Sequence, residues 1–221
     1  MLFIFDLDGT LLDTSEGIIN CYNFAAGQFG AATRPADQFR GVIGGPLFQN
    51  FQTYYGMTET DARHAVEIYR GRYAEQGIYQ ARVYDGMPQL LASLKEQGQK
   101  LAVATLKRED FAKTMLAHFQ LAEYFDVIYG IDQNDTLTKA DLLCRCMETL
   151  RCGKNDSMLI GDSVHDANGA QQAGIPFVGV SYGWGFDSTD QVRAGYHTAA
   201  AGSVSELKQV LDLMIAQETI K

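Results

Sequence analysis

The sequence predicts an α/β protein: a doubly wound parallel sheet with a helical domain inserted after its first strand. Three observations carry that expectation. Short, unbroken apolar runs recur along the chain, amphipathic helical patterns alternate with them, and one long stretch, 14–82, shows helical patterns only. Apolar runs without polar alternation suit strands covered on both faces, the condition found in parallel sheets. Strands of that kind alternating with helices build βαβ units.

The first run, Leu2-Phe3-Ile4-Phe5, leads straight into Asp6 and Asp8. Alternate side chains of extended backbone share a face, so these two carboxylates stand close together. Like charges that close favour a retained proton or a cation between them. From about Thr14 to Arg82 the period changes. Ile18/Tyr22/Ala25/Phe29, Leu47/Phe48/Phe51/Tyr55 and Ala62/Val66/Tyr69/Tyr73 mark amphipathic helices. An interval of roughly 65 to 70 residues exceeds an ordinary crossover. Residues 14–82 are therefore expected to form a second, helical domain on a core of 1–13 and 83–221, hung on linkers near 13–15 and 79–85.

The strand–helix rhythm then resumes. "DGMPQLLASLKEQG" has Pro88 near a helix start, Leu90, Leu91 and Leu94 on one face, and Gly98 as a stop. "KLAVAT" is a strand ending at Thr105, and "DVIYG" is the next. "TKADLLCRCMETL" opens with a capping-box pattern from Thr138 to Asp141 and carries Ala140, Leu143, Met147 and Leu150 at helical spacing. "SMLIGD" delivers a strand to Asp162, a helix follows that Gly174 ends, and "FVGV" supplies the fifth strand.

Bulk composition narrows the partners. Hydrophobic residues at 46% against 20% charged suffice for a buried core. A net charge of −9 with no basic cluster argues against nucleic acid or an anionic membrane as partner. The N-terminal apolar run is too short for a secretory signal and is broken by Asp6, and no apolar stretch reaches membrane-spanning length. Cys21, Cys144, Cys146 and Cys152 fit neither zinc nor redox spacing, so reduced thiols in a cytoplasmic protein are expected. In that compartment the Asn-X-Ser/Thr patterns at Asn134 and Asn155 carry no meaning.

Ligands of open α/β sheets bind beyond the carboxyl ends of the strands. Asp6, Asp8, Thr105 and Asp162 all fall there, and Lys139 opens a helix just after the third strand and its loop. Singly, each has an ordinary reading: Asp8-Gly9 as a turn, Asp13, Thr14 or Thr105 as caps, Asp162 and Asp166 as a helix start, Lys139 as a solvated charge. Together, strand-end carboxylates make a site for a hard divalent cation such as Mg²⁺. Thr105, Lys139 and helix N-termini would hold an anion beside it. A metal, an anion pocket and a bare carboxylate imply phosphoryl transfer through an aspartyl-phosphate.

"DLDGT" at 6–10, Thr105, Lys139 and "GDSVHD" at 161–166, in that order, resemble the haloacid dehalogenase superfamily, whose core is Rossmann-like. The helical insertion resembles the small cap domain of its phosphoglycolate phosphatase-like branch, and "VYDGMPQLLASLKEQG", "GAQQAGIPFVGVSYGWG" and "SVSELKQVL" resemble the nucleotidase-like bacterial phosphatases of that branch. The resemblance implies Asp6 as nucleophile and Asp8 as general acid and then base. It implies Mg²⁺ held by Asp6, the backbone carbonyl of Asp8 and Asp162, with Asp166 in support and Thr105 and Lys139 on the phosphoryl oxygens. The substrate would be a small phosphorylated metabolite, phosphoglycolate or a nucleoside monophosphate, and the protein a monomer or weak homodimer. The alternatives are a β-phosphoglucomutase-like mutase and a non-catalytic phospho-ligand binding protein.

One departure stands out. Leu106 follows Thr105 where the family commonly has Asn or Ser, so the polar contact it would give is missing or comes from Lys107 or Arg108. Lys107 itself is expected to be solvated or to face the cap. The first lysine is Lys95, beyond the insertion, which excludes the Schiff-base chemistry of the phosphonate-cleaving branch. Substrate choice should lie in the cap. Arg40 is the candidate specificity residue, with Gly44-Gly45-Pro46 as a loop facing the site and Phe48, Phe51, Tyr54 and Tyr55 read as cap core. Trp184 is expected to pack, and His165 to stand by. Opening and closing of the cap over the site is expected.

Overall fold

The apolar run at the start of the chain becomes the centre of the sheet. In the computed structural model, which describes residues 1–132 and 136–218, β1 (Leu2–Phe5) is fully buried. Asn134 lies outside the described residues. Following β1 are the short β2 (Leu12–Asp13) and β3 (Arg82–Val83), then β4 (Lys100–Arg108), β5 (Val127–Ile131), β6 (Ser157–Gly161), β7 (Phe177–Val180) and β8 (Ala199–Ala201). Six of these form one sheet in the order β5-β4-β1-β6-β7-β8, with every pairing parallel. The chain fills one side of β1 and then returns to fill the other, so the order reverses between β1 and β6. A crevice opens at such a switch point.

The helices on the two faces explain why the strands read as continuous apolar runs. Phe3 and Phe5 share one buried cluster with Leu101, Val103, Met158 and Ile160, completed by α4 (Met87–Glu96), α5 (Glu109–His118) and α9 (Val204–Glu218). Leu2 and Ile4 enter the other with Ala102, Ala104 and Leu159, covered by α6 (Lys139–Leu150), α7 (Val164–Ala173) and the short α8 (Thr189–Arg193). Each large side chain so buried contributes about 1.5–3 kcal/mol. The capping box read from Thr138 and Asp141 is present, and Gly174 ends α7 in the left-handed conformation, as expected.

The stretch 14–82 is helical: α1 (Ser15–Gly27), α2 (Leu47–Tyr55) and α3 (Glu59–Glu75). Tyr22 is its hub, with the rings of Phe51 and Tyr69 each at 5.0 Å. Its two connections to the rest of the chain are bound to one another. β2 pairs antiparallel with β3, and Arg82 donates to Asp13 Oδ2 through both Nε (3.1 Å) and Nη2 (2.9 Å). Among the described residues no helix is long and apolar enough to cross a membrane.

Candidate active site

The chain leaves β1 through Asp6, Leu7 and Asp8 and turns at Gly9, whose φ of +79° favours glycine. Space makes the same demand, because a Cβ there would lie 2.2 Å from Asp162 Oδ2. The turn thus brings the ends of β1 and β6 together.

Lys139 is placed by the N-terminus of α6, where Thr138 caps the helix. Its ammonium group lies 2.7 Å from Asp6 Oδ1, 2.6 Å from Asp166 Oδ1 and 2.9 Å from the Ala104 carbonyl. α7 approaches so closely that a Cβ on Gly169 would lie 2.4 Å from Lys139 Cγ. Asp166 sits in the first turn of α7, its Oδ2 accepting from the Ser163 hydroxyl at 2.6 Å and the Ser163 N–H at 3.1 Å. Asp162 Oδ2 accepts from the backbone N–H groups of Trp184 (2.8 Å) and Gly185 (2.9 Å).

Asp6, Asp162 and Asp166 are all buried, and each offers an oxygen within 4.8 Å of the others. Burial, aided by the charges of Asp166 and Asp8, raises the Asp6 carboxyl to about 7 against the pull of Lys139. Burial and the neighbouring Asp166 and Asp6 likewise hold Asp162 well above the ordinary carboxylate range. For Lys139, burial acts downward, but Asp166 and Asp6 outweigh it and the group is raised. One lysine among three desolvated carboxylates leaves negative charge in excess, so the donor set fits a hard divalent cation held by oxygen.

Asp8 stands to one side. Its Oδ2 is 3.0 Å from Lys107 Nζ, while Oδ1 is buried with no hydrogen-bond partner among the described residues. Thr105, 1% exposed, ends the regular pairing of β4. Asp6, Asp8, Thr105, Lys139, Asp162 and Asp166 all line one small cavity. A second cavity of about 370 Å³ adjoins it, walled by Ile18, Tyr22, Tyr69, Tyr73, Leu106 and Phe111, with Gln49, Arg70 and Arg108 also on its lining. Asp8, Gly44, Leu106, Lys107 and His165 line both.

The structure therefore brings every core residue singled out in the sequence into one place. It does not bring Arg40 there. Arg40 lies over the Trp184 ring at 5.6 Å and pairs with Asp187 at 3.4 Å, and it is absent from the described lining of both cavities. The Gly44-Gly45-Pro46 loop does face the site. Phe51 is buried in the helical stretch, with Phe48, Tyr54 and Tyr55 half-buried against the same core, and His165 borders both cavities. Lys107 needs correction. Its side chain is only 8% exposed; it does face the helical segment, but as a buried partner of Asp8 and Tyr73 and not as a solvated charge.

Fold and site define a parallel-sheet enzyme with a carboxylate–lysine cluster at its switch point. Residues 3–180 match the family described as haloacid dehalogenase-like hydrolase, and the chain belongs to it. Over 210 residues it is 38% identical to a 5'-nucleotidase of Pseudomonas aeruginosa, covering 95% of this chain and 94% of that one. Identity to the tyrosine-protein kinase PtkA of Mycobacterium tuberculosis is 34%, covering 95% of this chain and 72% of the relative. A crystal structure described as a predicted phosphatase from Clostridium acetobutylicum superposes with a TM-score of 0.89 at 36% identity, covering 95% and 97% of the two chains.

Proposed function

We propose that the protein is a phosphatase that hydrolyses a small phosphomonoester through an aspartyl-phosphate on Asp6. The observation carrying this reading is the convergence of buried Asp6 with Lys139, Asp162 and Asp166, while Asp8, two residues further on, pairs with a different cation. Asp6 attacks phosphorus in line as the ester P–O bond breaks, and Asp8 gives its proton to the leaving oxygen. Asp8 then takes a proton from the water that cleaves the aspartyl-phosphate. Thr105 and Lys139 bind phosphoryl oxygens, and Asp166 holds Lys139 in place. Asp6, Asp162 and the backbone carbonyl of Asp8 are the groups that would hold Mg²⁺, which supplies positive charge beside the phosphoryl group.

The helical stretch 14–82 acts as the cap over this site, and the wall of tyrosines favours a leaving group with an aromatic or apolar body. A nucleoside monophosphate meets that description better than phosphoglycolate, which has no aromatic body to set against the tyrosine faces. The 5'-nucleotidase relative supports the same choice. The reading extends to a cytoplasmic protein acting on a small metabolite as a monomer or weak homodimer, in keeping with four free cysteines and a site built within one chain.

The test is phosphate release from a panel of nucleoside monophosphates, phosphoglycolate, sugar phosphates and pyrophosphate, with Mg²⁺ and with chelator. Release that needs Mg²⁺ and falls about 10³-fold or more in Asp6→Asn is expected. No release from any compound by the folded, Mg²⁺-loaded protein would sink the reading.

A further inference from the structure

Lys107 stands where the two cavities meet. The pairing of β4 with β5 shifts register between Thr105 and Arg108. Bulges of this kind re-aim a side chain at a sheet edge. The Lys107 ammonium lies 3.0 Å from Asp8 Oδ2 and donates to the Tyr73 hydroxyl at 2.9 Å, 4.4 Å above that tyrosine's ring centroid. Its backbone N–H donates to Thr105 Oγ1 at 3.2 Å. Tyr73 belongs to α3 and is held in turn, stacked on Tyr69 with ring centroids 5.6 Å apart.

These contacts treat the two oxygens of Asp8 differently. Oδ2 is held by Lys107, whereas Oδ1 is buried and has no hydrogen-bond partner among the described residues. Leaving a buried carboxylate oxygen bare is costly, so a fold that served stability alone would satisfy both. The arrangement aims the carboxyl instead. One oxygen is fixed and the other is left for a group that arrives with the substrate.

We propose that Lys107 is a positioning residue for Asp8: held by Tyr73 from the helical insertion, it fixes the carboxyl with Oδ1 presented to the leaving oxygen at the junction of the two cavities. This rests on the reading of Asp8 as the group that protonates that oxygen. The proton passes from the Asp8 carboxyl to the ester oxygen while the P–O bond breaks and the Asp6–phosphorus bond forms. Because Tyr73 comes from α3, the aim is complete only when the helical insertion is docked on the core.

Leaving-group chemistry tests this. p-Nitrophenolate departs with little help from an acid, whereas an alkoxide needs its proton. With Mg²⁺ present, Lys107→Gln should lower kcat on the best alkyl ester of the panel about 10–100-fold, and on p-nitrophenyl phosphate less than about threefold. Tyr73→Phe, which removes only the hydroxyl, should show the same inequality at smaller size, and it carries the test if Lys107→Gln fails to fold. Equal losses on both esters, a loss confined to KM, or no loss at all would overturn the proposal and leave the phosphatase reading intact. A wild-type enzyme that hydrolyses neither ester overturns that reading, and the proposal with it.

Discussion

Asp6 and Lys139 meet at 2.7 Å although 133 residues of chain separate them. The same ammonium reaches Asp166, so a single cation restrains two of the three clustered carboxylates. Removing one partner of a buried ion pair costs about 3–5 kcal/mol, because the other is left charged and dry. Lys139→Met should therefore lower the urea midpoint strongly. The loss should be greater at pH 8 than at pH 5, where the freed carboxyls can stay protonated.

The wild-type protein should itself respond to pH. Folded Asp6 holds its proton up to about pH 7, whereas the unfolded chain releases it near 3.8. Between those values the folded state binds more protons, so stability present below the lower value is lost as pH rises through the upper one. In chelator, the melting temperature should fall by at least about 3 °C from pH 5 to pH 7.5, a shift of the size that about 1 kcal/mol produces in a chain of this length. Asp6→Asn should make the profile shallower, leaving the part that the likewise raised Asp162 contributes, and Mg²⁺ should raise the melting temperature most at the alkaline end. A slope unchanged in Asp6→Asn would mean that another group governs it.

Gly169→Ala tests the packing behind the site. In an open helix this change gains up to about 1 kcal/mol of propensity. Here the new methyl would lie 2.4 Å from Lys139 Cγ, and overpacking costs about 1–3 kcal/mol. The clash should win. We expect net destabilisation together with a fall in kcat, from a residue that touches no substrate. Equal or higher stability with full activity would show that α6 and α7 can separate freely.

Trp184 joins the site to the base of the helical insertion. Its backbone N–H holds Asp162 Oδ2, its indole donates to Asp13 Oδ1 at 2.9 Å, and its carbonyl accepts from Gly41. Trp184→Phe removes a hydrogen bond to a buried carboxylate, which should cost about 1.5–3 kcal/mol in chemical denaturation. As the chain's one tryptophan, it also makes intrinsic fluorescence a direct report on this junction. Binding of Mg²⁺ with vanadate should change the emission of wild type, and a signal indifferent to both would argue against coupling at this point.

How much of this the sequence disclosed follows from what each residue must do. The five main strands were legible because Phe3, Val103, Ile160 and their neighbours are large, apolar and covered on both faces. β8 was not, since Ala199, Ala200 and Ala201 form a strand only by docking beside β7 and carry no pattern of their own. The two-residue strands β2 and β3 are too short for any periodicity. Among site residues, Asp6, Asp8, Asp162 and Lys139 announced themselves by falling at strand ends and at a helix start. Lys107 did not, because its burial depends on Tyr73, supplied by a helix more than thirty residues earlier in the chain. Arg40 drew notice as a cation beside a glycine-rich turn, yet only the fold could show that the turn carries it to Trp184 instead of into the cavity.

The central place of β1 has a consequence for synthesis. Phe5 pairs with Val103 on one side and Ile160 on the other, so the first strand made is among the last to find both neighbours. At the usual pace of translation, roughly 5–20 residues per second, the segment bearing Asp6 and Asp8 waits roughly 8–30 s on the ribosome before its second partner emerges. Until α6 and β6 follow, Asp6 has neither Lys139 nor Asp162 beside it. A nascent or truncated chain ending before β6 thus lacks Asp162 and Asp166 as well as half the sheet, so the carboxylate cluster exists only once the second half of the fold has been made.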